Sequence, residues 1–346
     1  MKRATPCHRQ KRRSIQLVQL DAAVGGLLDL PCSWSGITHH QGLSNMRFEG
    51  IYTPVITPFF EDGSINRDGY GRVIEQQVAL GIHGIVIGGT TGENYALTRE
   101  ERIWQFGFAN KVIAGRVPWI AGVNDIRTES VCEYAAAAHA AGANAILLAV
   151  PPYSCPTGKE LAQHALAVEK AGKLPVMLYN YPGRSGAEMD ADFLLRVSRH
   201  TGFIAIKESS GDINRVHLLA REFPHLQLCC GADDQALEFF AWGARSWVCA
   251  AANFLAPETI GLYKTCVVDG NFALGRRIMK AMLPLMTVLE RGGKFIQCVK
   301  YACELDGLPG GPARLPMRPM KKELKREFRE ALENTRATVA HLLNQK

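Results

Sequence analysis

Short apolar runs alternate with longer amphipathic stretches along most of this chain, beginning at Gly50. A short β-branched or apolar run bounded by turn residues is typical of a buried strand, whereas apolar positions three and four apart are typical of a helix. The pattern predicts eight strands, at 50–57, 84–88, 118–123, 145–149, 175–180, 203–207, 227–230 and 246–250. It predicts helices between them at 67–80, 99–114, 129–141, 158–171, 191–200, 214–223 and 234–242, with an eighth beginning near Pro257.

Strict alternation of strands and helices indicates parallel strands joined by helical crossovers. Eight such units predict an α/β fold, a (β/α)8 TIM barrel over residues 46–255. A helical region at 256–346 follows, which we expect to pack on the barrel or against another subunit. An open, doubly wound sheet is the alternative, but no G-x-G-x-x-G motif follows the first strand to indicate a dinucleotide-binding half.

Residues 1–45 differ from the rest, because they lack the sustained periodicity of a core strand or helix. We expect a weakly ordered extension, or a start codon assigned upstream of the true one at Met46. Their basic, acid-poor beginning leaves an amphipathic targeting peptide open, whereas polar residues interrupt the apolar stretch that a secretory signal requires.

Composition excludes several classes of protein. Apolar residues make up 47% and charged residues 21% of the 346 residues, as in ordinary globular domains. No apolar run approaches the roughly 20 residues that span a bilayer, and the net charge of +7 lies largely at the chain ends, so neither a membrane nor a nucleic acid is an expected partner. The ten cysteines are scattered without metal-ligand spacing, which predicts no metal site and a reducing, cytoplasmic location.

The most informative single residue is Lys207, which closes an apolar run and precedes a Ser/Gly/Asp loop. An ammonium group is costly to desolvate, so burial at a strand end favours the free amine. A free amine is the nucleophile that attacks a keto carbon to form a Schiff base. The alternative is that the side chain simply extends its charge to solvent.

Other chemistry-bearing residues also fall where predicted strands end, which is where catalytic side chains gather in this fold. Each has an ordinary explanation as a cap, a core aromatic or a surface cation, but together an amine, a phenol, hydroxyls and a guanidinium on one rim favour a site. The segments are Gly88–Glu93, 151–154, 179–186, Lys207 itself, 231–234 and 251–253.

Three of these segments, G-G-T-T-G-E at 88–93, Y-N-x-P-x-R-x-G at 179–186 and I-K-E-x-x-G-D at 206–212, resemble the dihydrodipicolinate synthase / N-acetylneuraminate lyase family of pyruvate-dependent class I aldolases. The resemblance covers roughly residues 47–335. It implies a barrel with additional C-terminal helices and a cytoplasmic homotetramer built as a dimer of dimers. It also implies a lyase that holds pyruvate or another 2-keto acid as a lysine imine, without a metal or organic cofactor.

The resemblance also implies roles for individual residues. Lys207 matches the Schiff-base lysine, Tyr179 the tyrosine that transfers protons, and Thr90 the hydroxyl that relays them. Thr91 matches the keto-acid carboxylate site, and Arg184 the arginine that binds the carboxylate of the incoming aldehyde. The remaining expected substrate-binding residues are Gly89, Ser209 and Val248.

Two departures bear on the second substrate. The synthases carry Pro-Tyr-Tyr after strand four, with the second tyrosine reaching a neighbouring subunit's site, and this chain has Ser154 at the position assigned to that relay. Ser209 puts a hydroxyl where sialate lyases carry threonine, whereas Arg184 argues for a synthase.

The expected partners are therefore a small 2-keto acid and an aldehyde, with the dihydrodipicolinate synthase reaction of pyruvate and aspartate semialdehyde as the first hypothesis. If Ser154 has lost the relay, that reaction should be slow. The second hypothesis is a catabolic aldolase, dehydratase or deaminase of a hydroxylated 2-keto acid or cyclic imine. A non-catalytic barrel that binds keto acids is the third.

Overall fold

The computed structural model describes residues 46–345, and the extension predicted at 1–45 lies outside the described residues. Eight parallel strands pair in sequence order, and the eighth pairs with the first to close a barrel. The predicted TIM barrel is therefore confirmed. The strands are β1 Gly50–Pro54, β2 Gly84–Ile87, β3 Trp119–Gly122, β4 Ala145–Ala149, β5 Val176–Asn180, β6 Phe203–Glu208, β7 Gln227–Cys230 and β8 Ser246–Val248.

A helix follows each strand on the outside of the barrel. These helices are α1 Arg67–Ala79, α2 Arg99–Ile113, α3 Thr128–Ala140, α4 Gly158–Gly172, α5 Ala191–Val197, α6 Ile213–Glu222, α7 Ala236–Ala241 and α8 Ala252–Tyr263. Short helical turns lie at Thr90–Gly92, Asn94–Ala96, Pro182–Ser185, Asp233–Gln235 and Lys264–Val268.

The eighth helix, Ala252–Tyr263, joins two helical segments, and the second begins just after Leu255, close to the start predicted near Pro257. The backbone leaves helical geometry at Leu255, where φ is −125° and ψ is 34°. Pro257 consequently stands in the first turn after this kink, where its missing N–H group removes no hydrogen bond. The sequence reasoning thus located the segment after the kink and missed the short segment before it.

Three further helices follow the barrel, α9 Phe272–Arg291, α10 Phe295–Leu305 and α11 Lys322–Asn344. Each is amphipathic, and its apolar face joins the core that the barrel helices form with the outside of the strands. Among residues 46–345, no helix combines the length and the apolar character that crossing a membrane requires.

Alternation along the strands separates two core layers. Residues on the outer face of the strands pack under the helices, and residues on the inner face fill the barrel. In β5, Met177 and Tyr179 face the interior, and in β6 Ala205 does, so Lys207 two residues later has the same direction. Because side chains alternate between the two faces of a strand, Tyr179 and Lys207 both point into the carboxyl end of the barrel.

Candidate active site

A cleft opens at the carboxyl end of the barrel, on the face where the strand-to-helix loops gather. Seven of the predicted site residues line it, namely Thr90, Thr91, Tyr179, Arg184, Lys207, Ser209 and Val248. Two predicted positions, Gly89 and Ser154, are not part of this lining. Tyr181 and Asp234 also line it and lie within the predicted strand-end segments, whereas Glu290 and Phe295, which line it too, belong to no predicted segment.

Lys207 and Tyr179 lie side by side at the bottom of the cleft. They are register partners across β5 and β6. The ammonium nitrogen Nζ of Lys207 is 4.1 Å from the centroid of the Tyr179 ring, and only 7% of Lys207 is exposed. A cation over an aromatic ring is stabilised by the ring quadrupole. The amine and the phenol therefore share one small, largely dry space.

Asn180 and Glu208, which follow Tyr179 and Lys207, link the ends of β5 and β6. Asn180 donates from Nδ2 to both carboxylate oxygens of Glu208, at 2.8 and 3.1 Å, and its Oδ1 accepts from the backbone of Met189. Glu208 also pairs with Arg215 at 3.4 Å. Because all four side chains are buried, this network fixes the spacing of β5 and β6. The Asn and Glu of the two motifs thus hold Tyr179 and Lys207 in position.

The loop after β2 brings Thr90 and Thr91 to the opposite wall. Gly89 begins the helical turn at Thr90–Gly92, and its carbonyl accepts from the N–H of Gly92 at 3.0 Å. The hydroxyl of Thr57 donates to the carbonyl of Gly92 at 2.7 Å. Gly89 therefore shapes the loop, whereas the two threonines present their side chains to the cleft.

The glutamate that ends this loop is buried rather than acting as a helix cap. Glu93 lies 2.6 Å from the Nζ atom of Lys300 in α10, and both side chains are almost completely inaccessible to solvent. The backbone N–H of Arg314 donates to Glu93 at 3.0 Å. Burial lowers the pKa of Lys300, and the neighbouring Glu93 opposes that effect. A C-terminal helix thus anchors the threonine loop.

Ser209 and Gly231 pack closely beside the lysine stem. The hydroxyl of Ser209 donates to the carbonyl of Gly231 at 2.9 Å, so it has only acceptor capacity left for a ligand. A Cβ atom on Gly231 would lie 2.0 Å from the Ser209 oxygen and 2.8 Å from Cε of Lys207. Only glycine fits at this position.

Arg184 stands at the mouth of the cleft on the short turn Pro182–Ser185. Its guanidinium carbon is 5.3 Å from the Tyr181 ring centroid and 5.8 Å from that of Phe295. The guanidinium lines the cleft beside these rings, and a planar guanidinium can bind a carboxylate through two hydrogen bonds.

The acidic pair after β7 divides into two roles. Asp233 is buried, and it accepts from the indole N–H of Trp247 at 2.9 Å and from the backbone of Ala251 at 3.0 Å. Burial raises its pKa against these hydrogen bonds. Asp233 therefore joins the β7 and β8 loops, and it lines the cleft together with the half-buried Asp234.

Ser154 lies on the exposed surface after β4, where its hydroxyl donates to the carbonyl of Pro151 at 3.4 Å. The preceding Tyr153 is 92% exposed and has a φ of 72°, in the left-handed region. Sequence reasoning assigned the relay position to Ser154 and gave Tyr153 no role. The large aromatic side chain beside a Pro-Pro turn could have indicated Tyr153 instead.

Among residues 46–345, no three His, Cys, Asp or Glu side chains lie close enough together to hold a metal ion. The groups that line the cleft include an amine, phenols, hydroxyls, a guanidinium and three carboxylates. A barrel with a buried lysine and tyrosine at its carboxyl end defines a lyase of the class I aldolase type.

Comparison with known proteins gives the same class. Residues 47–335 match the Dihydrodipicolinate synthetase family. A 4-hydroxy-tetrahydrodipicolinate synthase from Exiguobacterium sibiricum is 35% identical over 271 residues, which cover 78% of this chain and 92% of the relative. One from Gluconacetobacter diazotrophicus is 33% identical over 303 residues, covering 86% and 98%.

A solved structure extends the match to the fold. The 4-hydroxy-tetrahydrodipicolinate synthase from Methylacidiphilum fumariolicum superposes with a TM-score of 0.81 at 28% identity, covering 86% of this chain and 98% of the other. This chain therefore belongs to the dihydrodipicolinate synthetase family, and the predicted resemblance is confirmed. Enzymes of the family are Schiff-base-forming lyases, and this chain is one of them.

Proposed function

We propose that this enzyme holds pyruvate as an imine on Lys207 and condenses it with aspartate semialdehyde. The name 4-hydroxy-tetrahydrodipicolinate synthase, which the relatives carry, supports this reaction. In this proposal Tyr179 transfers protons during imine formation and carbon–carbon bond formation, and Thr90 orients its phenol. Thr91 binds the pyruvate carboxylate, and Arg184 binds the carboxylate of the aldehyde.

The observation that carries the proposal is the placement of the Lys207 amine against the Tyr179 ring in a cleft whose mouth holds Arg184. A nucleophile, a proton donor and an anion-binding group thus line one cleft at the end of the barrel. Pyruvate on the lysine would lose its keto oxygen as water, and the resulting imine would acidify the adjacent methyl group, which gives up a proton to Tyr179 and becomes the nucleophilic carbon of an enamine. That carbon then attacks the aldehyde.

The first experiment treats the enzyme with pyruvate and borohydride and locates the adduct by mass spectrometry. We expect one reduced pyruvyl group, on Lys207, and none in Lys207→Ala. Lys173→Ala is a matched control, because Lys173 ends α4 on the surface and should leave the labelling unchanged. Labelling at another lysine would refute the role of Lys207, and no labelling with any 2-keto acid would favour the non-catalytic keto-acid-binding barrel.

The second experiment compares aldehydes and hydroxylated 2-keto acids by kcat/KM. The proposed reaction predicts that aspartate semialdehyde with pyruvate is the preferred pair. Faster cleavage, dehydration or deamination of a hydroxylated 2-keto acid or cyclic imine would replace it with the catabolic alternative. Ser209 is the residue that favours this alternative, because its hydroxyl oxygen keeps acceptor capacity toward a substrate hydroxyl.

We also propose that Tyr153, rather than Ser154, supplies the relay to a second copy of the chain. A non-glycine residue in the left-handed region costs about 1–3 kcal/mol, and such strain concentrates at functional positions. An exposed tyrosine in that conformation can reach a neighbouring molecule, whereas the Ser154 hydroxyl is too short and bonds to its own loop. The homotetramer and the cytoplasmic location implied by the resemblance belong to the same proposal.

A further inference from the structure

The outer wall of the cleft comes from the helices that follow the barrel. Glu290 lies in the last turn of α9 and Phe295 opens α10, so the two stand on either side of the Gly292-Gly293 turn. Both line the cleft together with Arg184 and Asp234. A carboxylate from outside the barrel therefore lies at the mouth through which the second substrate must enter.

Packing and helix stability do not account for this carboxylate. Within residues 46–345, no hydrogen bond or ion pair engages Glu290, whose side chain lines the cleft. It also stands at the negative end of the α9 dipole, where an acidic side chain is disfavoured. A residue that is unpaired and unfavourable for its own helix is available for a ligand.

The charges around Glu290 indicate which charges a ligand at this place should carry. Desolvation in the cleft and the carboxylates of Asp233 and Asp234 raise the pKa of Glu290 to about 7, against the opposing effects of Arg184 and Lys207. The neighbouring carboxylates thus repel a further negative charge here and favour a positive one. The guanidinium of Arg184 favours a negative group close by. The mouth of the cleft is complementary to a molecule that carries both charges.

We propose that Glu290 recognises a protonated amine on the aldehyde substrate while Arg184 binds its carboxylate. The aldehyde is the aspartate semialdehyde of the proposed condensation, and the new assignment is the role of Glu290 toward its amine. This inference rests on the proposed condensation, because it concerns the partner of the pyruvate imine. Glu290 determines specificity, and it takes no part in forming the imine on Lys207.

The test compares two aldehydes that differ only in the amine, aspartate semialdehyde and succinic semialdehyde, with pyruvate consumption as the readout. Loss of a charge-assisted hydrogen bond in Glu290→Gln should raise KM for the amine-bearing aldehyde about tenfold or more, with kcat little changed. KM for succinic semialdehyde should stay within about twofold. Glu333→Gln, an exposed glutamate on α11, controls for the change in net charge.

Imine trapping separates this inference from the proposed function. If borohydride labels Lys207 equally in the wild type and in Glu290→Gln, but KM for the two aldehydes changes equally or not at all, amine recognition by Glu290 is refuted and the condensation stands. If the wild type forms no imine, the condensation itself fails. A fall in kcat with KM unchanged would also refute the inference, because it would indicate a chemical role.

A second measurement needs no variant. When the pH falls through about 7, Glu290 takes up a proton and loses the charge that attracts an ammonium group. KM of the wild type for aspartate semialdehyde should therefore rise toward lower pH, while KM for succinic semialdehyde should not show that rise. Parallel pH profiles for the two aldehydes would overturn the inference.

Discussion

The phenol of Tyr179 and the amine of Lys207 meet because two strands deliver them in register. Their side chains are two residues beyond Met177 and Ala205, which fill the barrel, so the pleat gives all four the same direction. Asn180 and Glu208, one position further on, face the other way and bond to each other. Alternation along the strand therefore separates the residues that contact the cleft from those that hold it in shape.

Replacing Tyr179 by phenylalanine should lower kcat by about 10²–10⁴-fold, because the ring stays and the proton donor is lost. Thr90→Val should cost less, since the role proposed for its hydroxyl is only to orient the phenol. Steady-state kinetics with pyruvate measures both. Tyr70→Phe is the matched control, because that hydroxyl is buried without a hydrogen-bond partner among the described residues. Near-normal turnover by Tyr179→Phe would show that another group moves the proton.

Gly231→Ala should impair Lys207 although the lysine itself is unchanged. The new Cβ would lie 2.8 Å from Cε of Lys207 and still closer to Ser209, so the amine must move. A displacement of about 1 Å can cost about 10²-fold in rate, and borohydride trapping should slow in parallel. Gly107→Ala provides the control, because its Cβ would meet nothing within 4 Å. Unchanged trapping in Gly231→Ala would mean that Lys207 tolerates the crowding.

Sequence reasoning at this scale succeeded where a side chain follows a predicted strand. Thr90, Tyr179, Arg184 and Lys207 were predicted from strand ends and motifs, and all four line the cleft. Glu290 was missed because it reaches the cleft from α9, more than eighty residues after Lys207, through the packing of a helix that no strand-end pattern locates.

At the scale of elements, the loop after β2 depends on α10 through the pair of Glu93 and Lys300. Glu93 has a φ of 57°, so the loop takes a left-handed step that places its carboxylate under the helix. The Nζ atom of Lys300 also donates to the carbonyl of Pro312 at 2.7 Å. The C-terminal helices thus stabilise the wall that presents Thr90 and Thr91.

Removing either partner of this pair should be strongly destabilising, because the other charge stays buried. Glu93→Gln or Lys300→Met should each lower the free energy of unfolding by about 3–5 kcal/mol. The double variant Glu93→Gln with Lys300→Met should lose less than the two single losses combined, because no unpaired charge remains. Denaturant unfolding measures all of them. Simple additivity would show that the two side chains act independently.

Element positions were predicted well because strands and helices carry different periods. β4 and β7 have the predicted bounds, and several others differ by one or two residues at their ends. The largest errors in the predicted bounds fall where tertiary contacts determine the end of an element. β1 stops at Pro54 because the following backbone turns toward Asn253, which donates to the carbonyl of Pro54 at 3.0 Å and accepts from the N–H of Ile56. The pairing of these distant residues has no local sequence signal.

At the scale of the whole molecule, the exposed Tyr153 is the residue that we propose connects one chain to another. If it is the relay of a neighbouring subunit, Tyr153→Phe should lower kcat by about 10²–10⁴-fold, the usual range for a lost acid or base. Ser154→Ala should change kcat little, because its hydroxyl bonds only to its own loop. Sedimentation of both variants checks that the oligomer is preserved. The reverse order of effects would return the relay position to Ser154.

Mixing two inactive variants tests whether the relay crosses between subunits. Lys207→Ala keeps Tyr153, and Tyr153→Phe keeps Lys207, so a hybrid dimer contains one site with both groups only if the tyrosine comes from the partner. In a symmetric dimer formed by random pairing, about half of the dimers are hybrids with one intact site of two, and about a quarter of the wild-type activity should return. If Tyr153 served its own chain, both sites of every hybrid would lack one group. Coexpressed variants that stay as inactive as the separate ones would therefore rule out the exchange between subunits.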